Sequence, residues 1–280
     1  MSGKLYIVGT PIGNLSDLSP RAVETLKSVD FIAAEDTRVT MKLMNRFEIK
    51  RPVISYHEHN MRDSGMRIMD RIISGEDCAV VSDAGMPAIS DPGQDLVRLA
   101  HENGITVVSV PGPSAVITAL AISGLECGRF CFEGFLSVTK SERKARLDEL
   151  KNERRTMVFY EAPHKLLATL KDMCAAFGDR RLAIVKELTK IHESVMHTTF
   201  SQAAEYFSQN VPKGEYVLVV SGAEKKGESD AVTFEQAVEY ARSCVADGMA
   251  PTAAAKQASQ MSGHRRSDIN KALAEERDGV

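Results

Sequence analysis

Short runs of consecutive apolar residues alternate with amphipathic stretches through the first 125 positions. Leu5–Val8, Phe31–Ala34, Cys78–Ser82 and Ile105–Val110 are such runs, and each stops at a turn or polar residue. Between them, Arg21–Val29, Met61–Ser74 and Gln94–Glu102 carry apolar residues at helical spacing. Wholly apolar strands separated by helices predict a parallel sheet covered on both faces. After Gly124 the pattern changes. Phe130–Glu133, Thr156–Tyr160, Leu182–Lys186, Ser194–Thr199 and Tyr216–Ser221 read as strands, several of them alternating. Glu142–Lys151 and His164–Phe177 read as helices among them. This half is expected to be a mixed or antiparallel α+β layer.

Gly222 to Asp230 is polar and glycine-bearing and reads as a linker. Three short helices are expected beyond it, at about Phe234–Ala246, Thr252–Met261 and Ser267–Glu276, with Thr252 and Ser267 as N-caps. Ser262-Gly263-His264 makes the turn between the last two, and Ile269 with Leu273 forms an i,i+4 apolar pair, a pattern similar to a helix-turn-helix module. The expected organisation is residues 1–124, an α/β domain with a parallel sheet; 125–222, a second α+β domain; 223–232, a linker; and 233–280, a helical module.

A chain of 280 residues, 43% hydrophobic and 26% charged, has the composition of a globular protein with more than one core. No apolar stretch approaches the roughly 18 residues of a membrane helix. The opening run Leu5–Val8 reads as the first strand and is too short for a signal-peptide core. Five scattered cysteines form no CxxC pair, even the closest two, Cys127 and Cys131, and so read as free thiols of a reducing, cytoplasmic compartment. A net charge of −3 argues against a wholesale nucleic-acid coat. Two local basic segments remain: Lys140 to Arg155, including Arg143 and Lys144, and a C-terminal set of Lys256, Arg265, Arg266 and Lys271. Acidic residues are interleaved with both, so either also suits a solvated helix face.

Three loops at strand ends carry candidate chemistry. Gly9-Thr10-Pro11-Ile12-Gly13-Asn14 follows the first strand, where open α/β sheets bind ligands. Neither GxGxxG nor GxxxxGK[ST] occurs, which argues against dinucleotide-dependent hydride transfer and P-loop hydrolysis. The loop Ser82 to Gly93 (SDAGMPAISDPG) sets two aspartates among glycines and prolines, and a carboxylate such as Asp83 favours a cationic ligand. Pro111-Gly112-Pro113-Ser114-Ala115 opens a helix with Ser114 at the N-cap position. Elsewhere, Asp36 or Thr37 suits a helix cap, Arg38 suits a phosphate or a partner in Glu35, and His57 and Asn60 suit RNA contact or internal hydrogen bonding. His57 and His59 share a face if extended, but no third ligand accompanies them and no metal is expected.

Taken in order, GTPIGNL, AEDTR, SDAGMPAISDPG, PGPSA, EGF, FYEAPH and KELTK resemble the bacterial 16S rRNA cytidine-2′-O-methyltransferase family, of the tetrapyrrole-methylase-like superfamily. The likeness covers nearly the whole chain. It implies an α/β fold: two α/β domains of the tetrapyrrole-methylase type (class III methyltransferase) with a small C-terminal helical, helix-turn-helix-like module. It also implies S-adenosyl-L-methionine in the cleft between the domains, a homodimer, and methylation of cytidine 1402 in the decoding centre of 16S rRNA, within the 30S subunit. The cofactor contacts it implies are Pro11, Ala84, Met86, Ile89, Ser114 and Ala115 from the first domain and Tyr160, Glu161 and Leu188 from the second. Met86-Pro87 stands where the tetrapyrrole enzymes carry Asp-Pro, which favours an RNA substrate over a corrin.

A ribose 2′-hydroxyl must lose its proton as it attacks. Lys186 is the expected base or hydroxyl positioner and Glu187 its partner, with Lys190 nearby. Expected RNA contacts are Arg38, His57, Asn60, Arg143, Lys144, Arg265 and Arg266. Two other readings stand beside this one: a precorrin-type small-molecule methyltransferase, and an RNA-binding protein without catalysis.

Overall fold

The structure, a computed structural model, describes residues 2–57, 60–224 and 232–275. These form two compact units, Met1–Ala223 and Glu224–Val280. Most of the expected linker, and His59, lie outside the described residues.

The first unit opens with five parallel strands, β1 (Leu5–Val8), β2 (Phe31–Ala34), β3 (Val53–Ser55), β4 (Cys78–Val81) and β5 (Val107–Val110), in the order β3-β2-β4-β1-β5. Alternation sorts their side chains onto two faces. Leu5, Ile7, Phe31, Ala33, Cys78 and Val80 pack under α3 (Met61–Ile73) and α4 (Gln94–Glu102). Val8, Ile32, Ala34, Ala79 and Val81 pack under α1 (Pro20–Ser28) and α2 (Thr37–Arg46). Both faces are covered, as wholly apolar strands require. Sequence periodicity passed over β3, which has three residues and no fully buried one.

A second sheet follows, with β6 (Phe130–Phe135), β7 (Thr156–Glu161), β8 (Arg181–Lys186), β9 (Ser194–Thr199) and β10 (Tyr216–Val220) in the order β6-β7-β10-β8-β9. Only β6 and β7 are parallel; the other pairs are antiparallel. One face, with Met157, Phe159, Leu182, Ile184 and Leu218, packs against α6 (Lys140–Leu150), α7 (Leu166–Phe177) and α8 (Phe200–Gln209). The other face, with Val158, Ala183, Val185, Val217 and Val219, is covered by α5 (Ala115–Ile122) through Val116, Ala119 and Leu120. Helix α5 comes from the first half of the chain and is apolar almost all round, AVITALAI. A chain cut at Gly124 therefore separates α5 from the sheet it covers.

The second unit is a three-helix cluster of α9 (Phe234–Ala246), α10 (Pro251–Ser262) and α11 (Arg266–Glu275). Small side chains, Ala237, Ala241, Ala254, Ala255 and Ala258, let the helices approach closely, and Ile269 fills the centre. The caps differ from expectation. Thr233 and Gln236 form a capping box on α9. Helix α10 starts one residue before Thr252, with Pro251 in its first turn, and α11 starts before Ser267, so neither hydroxyl is an N-cap. Gly263 ends α10 in the left-handed conformation at φ 76°, making the expected turn.

Leu218 lies in the central strand of the second sheet, opposite Phe159 and Ile184, and is fully buried. Leu218→Ala is expected to cost about 2–5 kcal/mol of stability, read by urea denaturation.

Candidate active site

The loops that follow β1, β4 and β5 meet at one end of the parallel sheet. Gly9 and Gly112 lie back to back: a Cβ on Gly9 would sit 2.7 Å from both the Gly112 Cα and the Met86 sulfur. Neither position admits a side chain without moving backbone. Thr10 and Gly85 exchange backbone hydrogen bonds of 2.8 and 3.0 Å, and the Thr10 hydroxyl donates to the Ser82 carbonyl at 3.2 Å. The first two loops are thereby stitched together. In the second loop Ala88 (φ 70°) and Ser90 (φ 63°) adopt left-handed backbone, a strained arrangement that presents Ile89 between them.

The second sheet answers with its own loops. Glu161, at the end of β7, is 5% exposed. Its two carboxylate oxygens accept from the Ala162 N–H (2.8 Å) and the Thr169 hydroxyl (2.5 Å). Tyr160 packs against Phe132 and Phe135, with ring centres 5.0 and 5.4 Å away. After β8, Glu187 (φ 52°) and Thr189 (φ 64°) flank Leu188 as Ala88 and Ser90 flank Ile89.

Between these loops lies a cavity of about 370 Å³. Its walls are mostly apolar: Ile12, Met86, Ile89, Phe135, Val185, Leu188 and Val217. Ala84, Gly85 and Ala115 keep one side shallow, and Ser90, Asp91, Ser114 and Glu215 supply polar groups. Ser114 holds the N-cap position of α5 but makes no side-chain cap bond, so its hydroxyl is available to the cavity. Burial pushes the Asp91 carboxyl up to about 6, helped by the nearby charges of Glu35 and Asp83. Burial and Asp91 together raise the Tyr160 phenol to about 12, which keeps it neutral. A concave, largely apolar chamber with a few placed polar groups is a small-molecule site.

The model of the tetrapyrrole (corrin/porphyrin) methylases matches residues 4–204. The chain belongs to the tetrapyrrole methylase family. Within it, this methyltransferase is 47% identical over 256 residues to ribosomal RNA small subunit methyltransferase I of Synechocystis, covering 91% of each chain. It is 45% identical to that of Halalkalibacterium halodurans over 269 residues, 95% of this chain and 93% of the other. Solved structures share the fold at low identity. Diphthine synthase superposes with a TM-score of 0.60 at 14% identity, over 78% of this chain and 90% of that one. Uroporphyrin-III C-methyltransferase of Thermus thermophilus, complexed with S-adenosylhomocysteine, superposes with a TM-score of 0.56 at 17% identity, over 78% and 97%. The fold is therefore the class III methyltransferase fold, α/β with two sheets and C-terminal helices.

The methylase cavity gathers Ala84, Met86, Ile89, Ser114, Ala115, Tyr160, Glu161 and Leu188 from the sequence-derived set. Pro11 and Asp83 do not line it. Pro11 yields its place to Ile12, and the Asp83 carboxylate, which is exposed, accepts from the Asp36 N–H at 3.0 Å. Asp91, eight residues on, is the carboxylate of that loop which borders the cavity. Lys186 and Glu187 are also absent from the walls. Glu187 accepts from the Lys190 ammonium (3.0 Å) and the Glu215 N–H (2.9 Å), and Lys190 also bonds Glu215 (2.9 Å). The Lys190 contact holds the Glu187 carboxyl below its ordinary range. This ionised cluster ties the Leu188 turn to the start of β10.

The expected RNA contacts are scattered. Arg38 is exposed and paired with Asp36 at 2.6 Å, and Asp36 caps α2. Asn60 closes a local turn, accepting from the His57 N–H (2.8 Å) and donating to the Ser55 carbonyl (3.2 Å). Arg143 is largely buried and joined to Asp172 at 2.7 Å, pinning α6 to α7, so its guanidinium is not offered to a phosphate. Lys144 is exposed, and in the second unit so are Arg265 and Arg266. Among the described residues, no three His, Cys, Asp or Glu side chains are placed to hold a metal, and no helix is long and apolar enough to cross a membrane.

Because the Asp91 carboxyl lies above its ordinary 3.8 in the folded state, folding favours its protonated form. The ionised group opposes folding, so its contribution to stability falls as pH rises from about 4 to about 6. Asp91→Asn should gain thermal stability relative to the parent across that window and stay ahead above it. Parallel melting-temperature curves from pH 4 to 7 would count against the assignment.

Proposed function

We propose that this methylase transfers a methyl group from S-adenosylmethionine to the ribose 2′-hydroxyl of a cytidine in the decoding centre of 16S rRNA. The observation that carries this reading is the 41–48% identity, over most of the chain, to relatives named ribosomal RNA small subunit methyltransferase I. The cavity fits the cofactor. Its volume lies in the range of nucleoside-sized ligands, Gly85 in its wall permits close backbone approach, and its apolar walls suit a purine and a thioether chain. When bound, S-adenosylmethionine supplies an electrophilic methyl group on a cationic sulfur.

The chain's own groups do the rest. Asp91 brings negative charge to a weakly solvated wall, where it favours a cation more than it would in water. Ile89 and Leu188, each held by strained neighbours, narrow the approach of the acceptor. Of the expected catalytic pair, Glu187 acts at one remove: its cluster with Lys190 and Glu215 positions Leu188 and Glu215.

The acceptor is proposed to be rRNA within the 30S subunit, met in the cytoplasm by a homodimer. Exposed Phe135 and Val138, on and just beyond the edge strand β6, support self-association. Arg38, Lys144, Arg265 and Arg266 support phosphate contact, the last two from the start of a helix in a separate small unit.

Methyl-labelled cofactor, the enzyme and 30S subunits from cells lacking it should yield label as 2′-O-methylcytidine after nuclease digestion and mass spectrometry. Label on a base, or none with cofactor binding intact, would contradict the proposal. Arg265→Glu and Arg266→Glu should weaken RNA binding and lower the slope of log affinity against log salt by about one each. An unchanged slope would remove the C-terminal unit from RNA docking.

A further inference from the structure

A second cavity, of about 400 Å³, shares Ser90 and Asp91 with the first. Met61, Ala88 and Pro92 give it apolar surface, and Glu35, Asp91 and Asp95 give it carboxylates. Two of these carboxylates are anchored. The Tyr56 hydroxyl, on a fully buried ring, donates to Asp95 Oδ1 at 2.5 Å and leaves the other oxygen to accept. Glu35, directly after β2, faces the backbone N–H of Asp83 at 3.4 Å through one oxygen only. Among the described residues the carboxylates do not converge into a metal-holding group. Separated acceptors around apolar patches suit a flat molecule with N–H donors on its edge.

We propose that this second cavity receives the base of the target nucleotide and that the Glu35 and Asp95 carboxylates accept the exocyclic amine of cytosine. The proposal rests on the reading that the acceptor is a cytidine ribose, and it adds how the base is read. A base seated beside Glu35 and Asp95 brings its ribose to the wall formed by Ser90 and Asp91, where the two cavities meet. The 2′-hydroxyl then faces the methyl-donor chamber. An ionised carboxylate is a standard acceptor for the cytosine amine. Uracil presents a carbonyl at the same position, which sets acceptor against acceptor, and a base must leave its stack to be seated in a cavity. Burial, with Asp83 and Asp36 nearby, raises the Glu35 carboxyl, so the site has electrostatic reason to take up a donor.

The test compares 30S subunits carrying C or U at the target position, with the parent enzyme, Glu35→Gln and Asp95→Asn. Glutamine and asparagine keep the shape and one acceptor but add an N–H that tolerates a carbonyl. The parent should prefer C over U in kcat/KM by about ten-fold or more, and Glu35→Gln should cut that preference by about ten-fold. Filter binding of the two 30S forms to the S-adenosylhomocysteine complex should show the same loss, with S-adenosylmethionine affinity by calorimetry changed less than about two-fold. Both variants binding cofactor normally yet keeping the parent's C-over-U ratio would overturn the base subsite. A parent enzyme that methylates no ribose in either particle would instead remove the reading beneath it.

Discussion

Burial of one short apolar helix against a sheet built from the other half of the chain sets the geometry on which everything else depends. Helix α5 leaves the end of β5 through Pro111–Ser114 and buries Val116, Ala119 and Leu120 against Val158, Ala183, Val185, Val217 and Val219. At about 1.5–3 kcal/mol for each large aliphatic side chain buried, this contact is strong enough to hold the two sheets as one body. Its first residues, Ser114 and Ala115, therefore sit where the strand-end loops of one sheet face those of the other. The cavity is the gap left between two layers fixed in this way.

The gap is polarised by what surrounds it. Glu35, Asp83 and Asp91 crowd one side, and each carboxyl is pushed upward, first by burial and then by the other charges near it. Arg38, exposed and paired with Asp36, offsets part of this on Asp83. On the opposite side Glu187 and Glu215 share the single ammonium of Lys190. Carboxylates thus gather on the side where a cationic donor and an amine-bearing acceptor are proposed to meet.

The apolar runs made the individual strands legible, because a strand covered on both faces must be apolar throughout and β1, β2 and β4 are. The three glycine and proline loops were legible for a similar reason: Gly9 and Gly112 touch, and no other residue fits. What was hidden depended on tertiary packing. β3 is three residues of half-buried edge, too short for alternation to register. α8 follows β9 without a break and has no distinctive entry signal. Asp83 and Asp91 look equivalent in the string SDAGMPAISDPG, but the folded loop sets Asp91 against the cavity and Asp83 against the Asp36 N–H. Glu215–Val217 line the cavity from β10 with no motif of their own, because register with β7 and β8, not local sequence, brings them there. Lys186 and Glu187 carry suitable chemistry at a strand end, but the turn that follows directs Glu187 to Lys190 and the Glu215 N–H.

The central claim is that the methyl donor sits between the two sheets, against the β4 loop on one side and the β7 end on the other. Ultraviolet cross-linking of methyl-labelled S-adenosylmethionine to the full-length protein, followed by peptide mapping, tests it directly. The account predicts label in the peptides that contain Met86–Asp91 and Tyr160–Pro163. Label confined to the helices beyond residue 232, or to the outer faces of either sheet, would contradict it.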